Sequence, residues 1–188
     1  MLSRLFKSVL SILAGGLLFA SSAAADWPEK EITFVIPYST GGGMDGYVRA
    51  LSPAMEKVLG VPVVPTNMPG AGGNKGAAYT YRADPDGYTL SIFNIPGMTV
   101  SQVLGEPIGY DLEKVSWVGD LGTERYAIAV RGESDIKSID DLMSLDRTVK
   151  FSATGPGSTA YVTTTIAANI LGLDHQIVTG YKGTKEVV

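Results

Sequence analysis

One stretch near the N-terminus, residues 32–45, limits the possible folds more than any other part of the chain. It opens with an apolar run rich in β-branched residues, as a buried strand does, and Pro37 ends that run. Three glycines at 41–43 then let the backbone turn and expose its N–H groups. Apolar residues at helical spacing follow from 44 to 59. Such a loop suits an anion, because free N–H groups meet a positive helix end, but it equally suits a tight turn that binds nothing.

The same order of strand, loop and helix recurs twice more in the first half of the chain. A short strand at 61–65 runs into the glycine-rich loop 67–74, and a helix is predicted over 75–83. A third strand at 88–93 ends at loop 94–97, before a short helix around 98–104. Repeated units of this kind predict an α/β fold with a parallel sheet. In such sheets ligands bind at the carboxyl ends of the strands.

The second half of the chain continues this pattern less regularly. Strands are predicted at 115–118, 126–130, 148–152 and 176–179. Ser138 begins a capping-box pattern, which indicates a short helix. The small-residue loop 153–158 precedes a helix over 159–171, with Ser158 as its N-cap and Gly172 after its end. The chain stops at Val188, where a further helix should begin, so we expect a fragment of a longer fold.

Composition argues against several classes of function. The formal charge is −4 and there is no basic tract, which argues against a nucleic-acid partner. The chain has no Cys and one His, so neither a thiolate nucleophile, a His-based metal site nor a Ser-His-Asp triad is easily built. The glycine loops also fail the nucleotide-binding and nucleophile-elbow patterns. We therefore expect no catalytic residue, no metal and no cofactor.

Residues 1–25 have the pattern of a secretory signal peptide. Arg4 and Lys7 precede an apolar stretch over 9–19, and three alanines at 23–25 supply small residues for cleavage. We expect cleavage after Ala25 and export of the mature chain to the periplasm. The alternative is an N-terminal anchor that is retained.

Five stretches together resemble a known family. They are WPEK at 27–30, residues 37–45, the Asn-x-Pro-Gly-Ala-Gly-Gly run at 67–73, residues 84–90 with the run Pro-Asp-Gly-Tyr-Thr-Leu, and residues 152–158 with Tyr-Lys-Gly at 181–183. The chain resembles the solute-binding proteins of tripartite tricarboxylate transporters, the Bug or TctC-like family. This resemblance implies a two-domain periplasmic binding protein, type II-like, with a first domain at 26–124, an incomplete second domain at 125–188 and the C-terminal part missing.

The resemblance also implies a function. The protein would capture a small carboxylate, such as a di- or tricarboxylate, in an interdomain cleft and pass it to membrane permease subunits. It would be a monomer at full length and not an enzyme. One alternative is a ligand-reporting protein for a membrane sensor kinase. A hydrolase or transferase with glycine loops as oxyanion hole is disfavoured, since no triad is available. The chain departs from the family's pattern at Met68, Tyr161, Gly180 and the run at 38–40, where Arg, His, Pro and Phe-Pro-Pro are common.

The candidate ligand-binding residues lie in these loops and at the helix starts after them. They are Tyr38, Ser39, Gly42, Gly43, Met44, Asp45, Gly70, Ala71, Gly72, Gly73, Asn94, Ser152, Thr154, Gly157, Ser158, Tyr161, Tyr181 and Lys182. Backbone N–H groups around 42–44, 70–73 and 157–158 are the expected carboxylate donors. Asp45 has two interpretations, a ligand contact or a complement to the positive helix end. Tyr181 and Lys182 are either a ligand wall with a charge or ordinary loop residues.

Overall fold

The computed structural model describes residues 27–123, 125–183 and 186. The predicted signal peptide and its cleavage point lie outside the described residues, as does Glu124 at the predicted domain boundary. Within the described residues, none of the helices combines the length and the apolar character that crossing a membrane requires.

The first sheet has three strands in the order β2-β1-β3, and both pairings are parallel. The strands are β1 (Ile32–Ile36), β2 (Val63–Asn67) and β3 (Thr89–Ser91). Three helices follow the strands: α1 (Gly43–Leu59), α2 (Asn74–Arg82) and α3 (Ile95–Val103). One-turn 3-10 helices cover Ala71–Gly73 and Leu112–Lys114. The predicted α/β fold with a parallel sheet is therefore confirmed, and we call these elements the first unit.

The second unit is smaller. Strands β4 (Val149–Ser152) and β5 (His175–Val178) pair in parallel, with helix α4 (Ile139–Met143) before them and α5 (Thr159–Ile170) between them. Both predicted helix starts are confirmed. The Ser138 hydroxyl accepts from the Asp141 N–H in a full capping box, and the Ser158 hydroxyl accepts from the Tyr161 N–H.

Each unit has its own apolar core. In the first unit, β1 supplies Ile32, Phe34 and Ile36, which pack with Val48 of α1. β1 is the central strand, and Ile32, Val35 and Ile36 are fully buried. In the second unit, Val149 packs with Leu142, Ala168 and Leu173, among others. Each core holds its strands in place, and hence the loops at the ends of those strands.

Two of the predicted strands do not form. Residues 115–118 and 126–130 are without strand structure, and most of them are exposed, with Val118 at 89% exposure. Their β-branched and aromatic composition favours a strand, but a strand needs a neighbour that takes up its backbone hydrogen bonds. Neither segment pairs with a strand among the described residues. The prediction of these two strands was wrong for that reason.

Gly76 shows how closely helix α2 approaches the residues that follow β1 and β2. A Cβ at Gly76 would lie 2.9 Å from the Pro37 Cα and 3.1 Å from the Met68 carbonyl oxygen, whereas a Cβ at Gly46 in α1 would meet nothing within 4 Å. Replacing Gly46 by Ala should raise the free energy of unfolding by about 0.5–1 kcal/mol, since Gly is a poor helix former.

The same change at Gly76 should lower the free energy of unfolding, because overpacking of about 1–3 kcal/mol outweighs that gain. Denaturant unfolding of both variants would show whether the free energy of unfolding rises with Gly46→Ala and falls with Gly76→Ala. Equal effects at the two positions would show that the close approach of α2 to loop residues 37 and 68 is wrong.

Candidate functional site

Four loops at the carboxyl ends of strands face one another. Loop 1 (residues 37–42), loop 2 (residues 68–73) and loop 3 (residues 92–94) follow β1, β2 and β3, and loop 4 (residues 153–158) follows β4. The first two meet directly, because the Tyr38 hydroxyl donates to the Gly72 carbonyl oxygen at 3.2 Å. Parallel pairing explains this meeting, since it brings the ends of β1, β2 and β3 to one edge of the sheet.

Loop 2 of the first unit also touches loop 4 of the second. A Cβ at Gly72 would lie 2.8 Å from the Ser158 nitrogen, and one at Gly155 would lie 2.9 Å from the Gly72 nitrogen. Both glycines are buried. Any larger side chain at either position would force the backbones apart, so this contact depends on glycine.

Helix starts meet at the same place. The Gly97 N–H in the first turn of α3 donates to the Thr159 hydroxyl at 2.9 Å, and that hydroxyl donates to the Asn94 side-chain oxygen. Nearby, a Cβ at Gly157 would lie 2.5 Å from the Ser101 hydroxyl and 2.8 Å from the Asn74 side-chain nitrogen. Ser101 is 1% exposed, and its hydroxyl has no hydrogen-bond partner among the described residues.

A further hydrogen bond fixes the Asn74 side chain beside Gly157. The Tyr110 hydroxyl donates to the Asn74 side-chain oxygen at 2.8 Å, which fixes the amide and turns its nitrogen toward loop 4. Burial, with a smaller contribution from Glu106, raises the pKa of Tyr110 to about 12. Tyr110 therefore stays a neutral donor at physiological pH.

The N-termini of the helices make the electrostatic potential of the site positive. Helices α1, α2 and α3 begin after Gly42, Gly73 and Asn94, and none of these residues caps its own helix with a side chain. The first N–H groups of a helix have no partner within the helix, and they make its N-terminus positive. The ends of α2, α3 and α5 are brought together through Asn74, Gly97 and Thr159, so the region favours an anion.

Asp45 is the buried charge of loop 1. It is 3% exposed, and it accepts from the Gly41 N–H at 2.8 Å, the Arg49 guanidinium at 2.9 Å and the Asn67 amide at 3.0 Å. The Arg49 bond above all, with those from Gly41 and Asn67, outweighs burial and holds the pKa of Asp45 below its ordinary value. Asn67 also donates to the Tyr38 carbonyl. Asp45 thus holds loop 1 to the end of β2 and complements the start of α1, and the arrangement favours this structural interpretation.

Two of the expected N–H donors are already used. The Gly73 N–H donates to the Gly70 carbonyl at 3.0 Å, and the Ser158 N–H donates to the Gly155 carbonyl at 2.9 Å. The Gly72 and Gly157 N–H groups have no backbone partner among the described residues. They lie on the two facing loops, one in each unit, and are the strongest backbone donor candidates.

Only some of the candidate ligand-binding residues lie where the loops of the two units meet. Tyr38, Ser39, Gly72, Gly73, Asn94, Gly157 and Ser158 take part in this contact. Lys182 joins through its backbone, where its carbonyl accepts from the Ser39 N–H at 3.2 Å, while the residue itself is exposed. The others at the rim are half-buried: Gly42, Ser152, Thr154, Tyr161 and Tyr181.

Four candidate residues lie elsewhere. Met44 packs against the core of the first unit, and a Cβ at Gly43 would meet no atom within 4 Å. Gly70 faces the Lys75 side chain, and Ala71 is exposed with a positive φ of 48°. Helical periodicity explains Met44, because a residue that continues the apolar stripe of α1 must face the sheet.

Four residues of the contact are absent from the candidate set: Asn74, Gly97, Ser101 and Thr159. All lie in helices α2, α3 and α5, within the first turns or one turn beyond. The sequence marked Ser158 as an N-cap, and the residue after an N-cap begins the helix. That rule places Thr159 at a helix start, but it does not reveal that Thr159 faces the start of α3.

A cavity of about 600 Å³ lies beside β3 and is lined in part by loop 3, including Asn94. Its wall is mostly apolar and includes Phe34, Leu51, Leu90 and Trp117, and residues 115–123 close one side. Loops 2 and 4 do not line it. Because its wall is mostly apolar, whereas the facing loops bring backbone N–H groups and helix N-termini together, we place the candidate site at the loops.

Comparison with known proteins identifies the family. Residues 47–188 match the family described as "Tripartite tricarboxylate transporter family receptor". The chain belongs to this family. A relative from Agrobacterium vitis, "UPF0065 protein in the TAR-I ttuE-ttuC' intergenic region", is 31% identical over 172 residues, which are 89% of this chain and 49% of that protein. The chain spans about half the length of the curated relatives it matches.

Solved structures agree with the family. The periplasmic binding protein BugD is 26% identical with a TM-score of 0.69, over 85% of this chain and 54% of that one. MatC from Rhodopseudomonas palustris, solved with bound malate, is 22% identical with a TM-score of 0.61, over 84% and 55% of the two chains, and this likeness concerns the fold alone. The periplasmic-binding-protein fold expected from the sequence is thus confirmed.

The Asp45 network predicts a pH-dependent loss of stability. Replacing Asp45 by Asn should lower the free energy of unfolding by about 1.5–3 kcal/mol at neutral pH, the usual contribution of a hydrogen bond to a charged group. Because the pKa of Asp45 is lowered in the folded state, its contribution is present above the ordinary Asp pKa of about 3.9 and is lost as the pH falls through the lowered value.

The difference between wild type and Asp45→Asn should therefore shrink as the pH falls below about 4, the ordinary Asp pKa, and through the lowered value. Denaturant unfolding at several pH values measures it, with Asp84→Asn in an exposed turn as control. A difference that stays constant down to the lowest pH would contradict the role given to the Asp45 charge.

Proposed function

We propose that the protein is a periplasmic solute-binding protein that captures a small carboxylate between its two units and delivers it to a tripartite tricarboxylate-type permease. The observation that carries this proposal is the meeting of Gly72 and Gly157. These two glycines stand on facing loops of the two units, and both have unpaired N–H groups among the described residues. They lie among helix N-termini, which favour negative charge.

Local donors must supply the affinity. The chain carries a net charge of −4, so the overall field repels a carboxylate. A hydrogen bond to a charged group contributes about 1.5–3 kcal/mol, so several donors must converge. We assign the Gly72 and Gly157 N–H groups as main donors, with the Asn74 amide and the Ser101 hydroxyl beside Gly157. Ser101 fits this role because its buried hydroxyl lacks a partner within the described part of the chain.

The remaining candidates form the surroundings in this proposal. Tyr38 and Ser39 shape the first wall, Thr154 and Tyr161 the second, and Tyr181 closes one side. Asp45 acts indirectly by holding loop 1. We further propose that residues 26–124 and 125–188 belong to two domains, as in binding proteins that close on a hinge. Gly72 and Ser158 leave no space for a carboxylate directly between them, so in this proposal the units move apart to admit the ligand and then close again, with the ligand held beside this contact.

Substitution of Gly72 tests this site. Gly60 offers a matched control, because it has a similar left-handed backbone, with φ of 74° against 66°, but open space where its Cβ would be. Both Gly→Ala changes introduce backbone strain, and only Gly72→Ala pushes a methyl group against loop 4. We expect Gly72→Ala to weaken binding of citrate or malate by about tenfold, or 1.4 kcal/mol. Gly60→Ala should lower stability and leave affinity unchanged.

Calorimetry on the full-length protein measures these affinities, and Lys182→Ala extends the test. Lys182 contributes a carbonyl to the contact and is otherwise exposed, so its loss should have little effect on binding. A Lys182→Ala variant that binds nothing, beside a Gly72→Ala variant of normal affinity, would move the site from backbone donors to a side-chain cation.

The alternative function is a ligand-reporting protein that docks on a membrane sensor kinase. It shares the binding step and differs in the protein that receives the loaded form. Uptake of labelled citrate and malate by a deletion strain separates the two functions. We expect uptake to fall to the background of a permease-deficient strain and to return with the wild-type gene. Unchanged uptake together with lost induction of a target gene would favour the signalling function.

A further inference from the structure

We propose that Thr159 is a positioning residue that caps helix α3 from the other unit. In doing so it fixes the spacing between the two halves of the site. The structural part of this inference concerns only residues of the chain itself. Its consequence for ligand affinity rests on the proposed carboxylate-binding function.

The start of α3 has the geometry of a helix whose own cap is not engaged. An N-cap side chain normally accepts from the N–H of the second or third helical residue. In α3 the second residue is Pro96, which has no N–H, and the third is Gly97. Asn94 stands at the N-cap position, but it makes no side-chain cap bond.

Thr159 makes that bond instead. Its hydroxyl accepts from the Gly97 N–H at 2.9 Å, across 62 residues of sequence, and donates to the Asn94 side-chain oxygen. The cap of α3 is therefore supplied by the first residue of α5. Thr159 is 3% exposed, so this bond is shielded from water.

The packing around this bond requires small residues. A Cβ at Gly97 would lie 2.6 Å from the Gly157 carbonyl oxygen and closer still to the Thr159 nitrogen. Only Gly at position 97 lets the two helix starts come within hydrogen-bond distance. The hydroxyl oxygen of Thr159 also lies beside the two positive helix ends, where it reduces their mutual repulsion.

This arrangement links the cap to the position of the units. When the units move apart to admit a ligand, Thr159 leaves Gly97 and α3 loses its cap. Loss of a cap costs about 0.5–2 kcal/mol, so the bond favours the arrangement in which the loops meet. Asn94, freed from Thr159, can then turn to cap its own helix and limit the cost of opening.

A pair of spin labels measures the distance between the units. Residues 1–188 contain no Cys, and Val58→Cys on α1 with Ile170→Cys on α5 place labels at positions that are 83% and 79% exposed; any Cys in the remainder of the full-length protein is replaced by Ser. In the full-length protein we expect Thr159→Val to shift the label distances toward longer values, and Thr159→Ser to keep the wild-type distribution. Thr165→Val is the matched control, because the Thr165 hydroxyl bonds only to the Tyr161 carbonyl of its own helix.

Affinity and amide exchange provide two further readouts. Thr159→Val should weaken citrate or malate binding by about fivefold, the equivalent of one lost cap of roughly 1 kcal/mol. Exchange of the Gly97 amide hydrogen should become faster in Thr159→Val and stay slow in Thr159→Ser. Should Thr159→Val fail to fold, Thr159→Ala removes the same hydroxyl without a branched side chain and takes its place in all three measurements.

The outcomes separate the inference from the proposed function. If wild type binds neither acid but Thr159→Val still lengthens the label distance and exposes Gly97, the cap stands and the carboxylate proposal fails. If wild type binds and Thr159→Val has unchanged distances and Gly97 exchange, the cap is refuted while the carboxylate proposal stands.

Discussion

The parallel pairing of β1 with both β2 and β3 is the constraint on which the rest of the first unit depends. Parallel strands place their carboxyl ends at one edge, so loops 1, 2 and 3 begin from neighbouring points. The helices that follow must then start at that edge as well. Four fully buried positions, Ile32, Val35 and Ile36 of β1 with Val48 of α1, hold this arrangement, because burying apolar side chains is the main favourable term in folding.

Glycine at the edge turns this arrangement into a contact between the two units. Gly72, Gly97, Gly155 and Gly157 stand where a Cβ would meet atoms of a facing loop or helix. Without a side chain, the backbone N–H groups can approach the facing loop or helix. Glycine also loses more conformational entropy on folding than other residues, which lowers stability. A surface of this kind presents backbone N–H groups, which supports the proposed capture of a carboxylate by an acidic protein.

Charge in the site is divided between structure and recognition. The Asp45 carboxylate and the Arg49 guanidinium satisfy each other and fix loop 1 through Asn67. The proposed recognition is left to neutral donors, namely the Gly72 and Gly157 N–H groups, the half-buried Asn74 side chain and the buried Ser101 hydroxyl. Neutral donors cost less to bury than an unpaired charge, so the facing loops can close over the site.

The sequence by itself determined the features that depend on neighbouring residues. The β1 strand, the glycine loops, the capping box at Ser138 and the N-cap at Ser158 all follow from local patterns, and their order predicted a parallel α/β fold. Tertiary structure decided whatever needs a distant partner. Residues 115–118 and 126–130 have strand composition, but a strand exists only beside another that takes up its hydrogen bonds. For the same reason, Asn67 binds the Asp45 carboxylate across 22 residues, and Thr159 caps a helix 62 residues away.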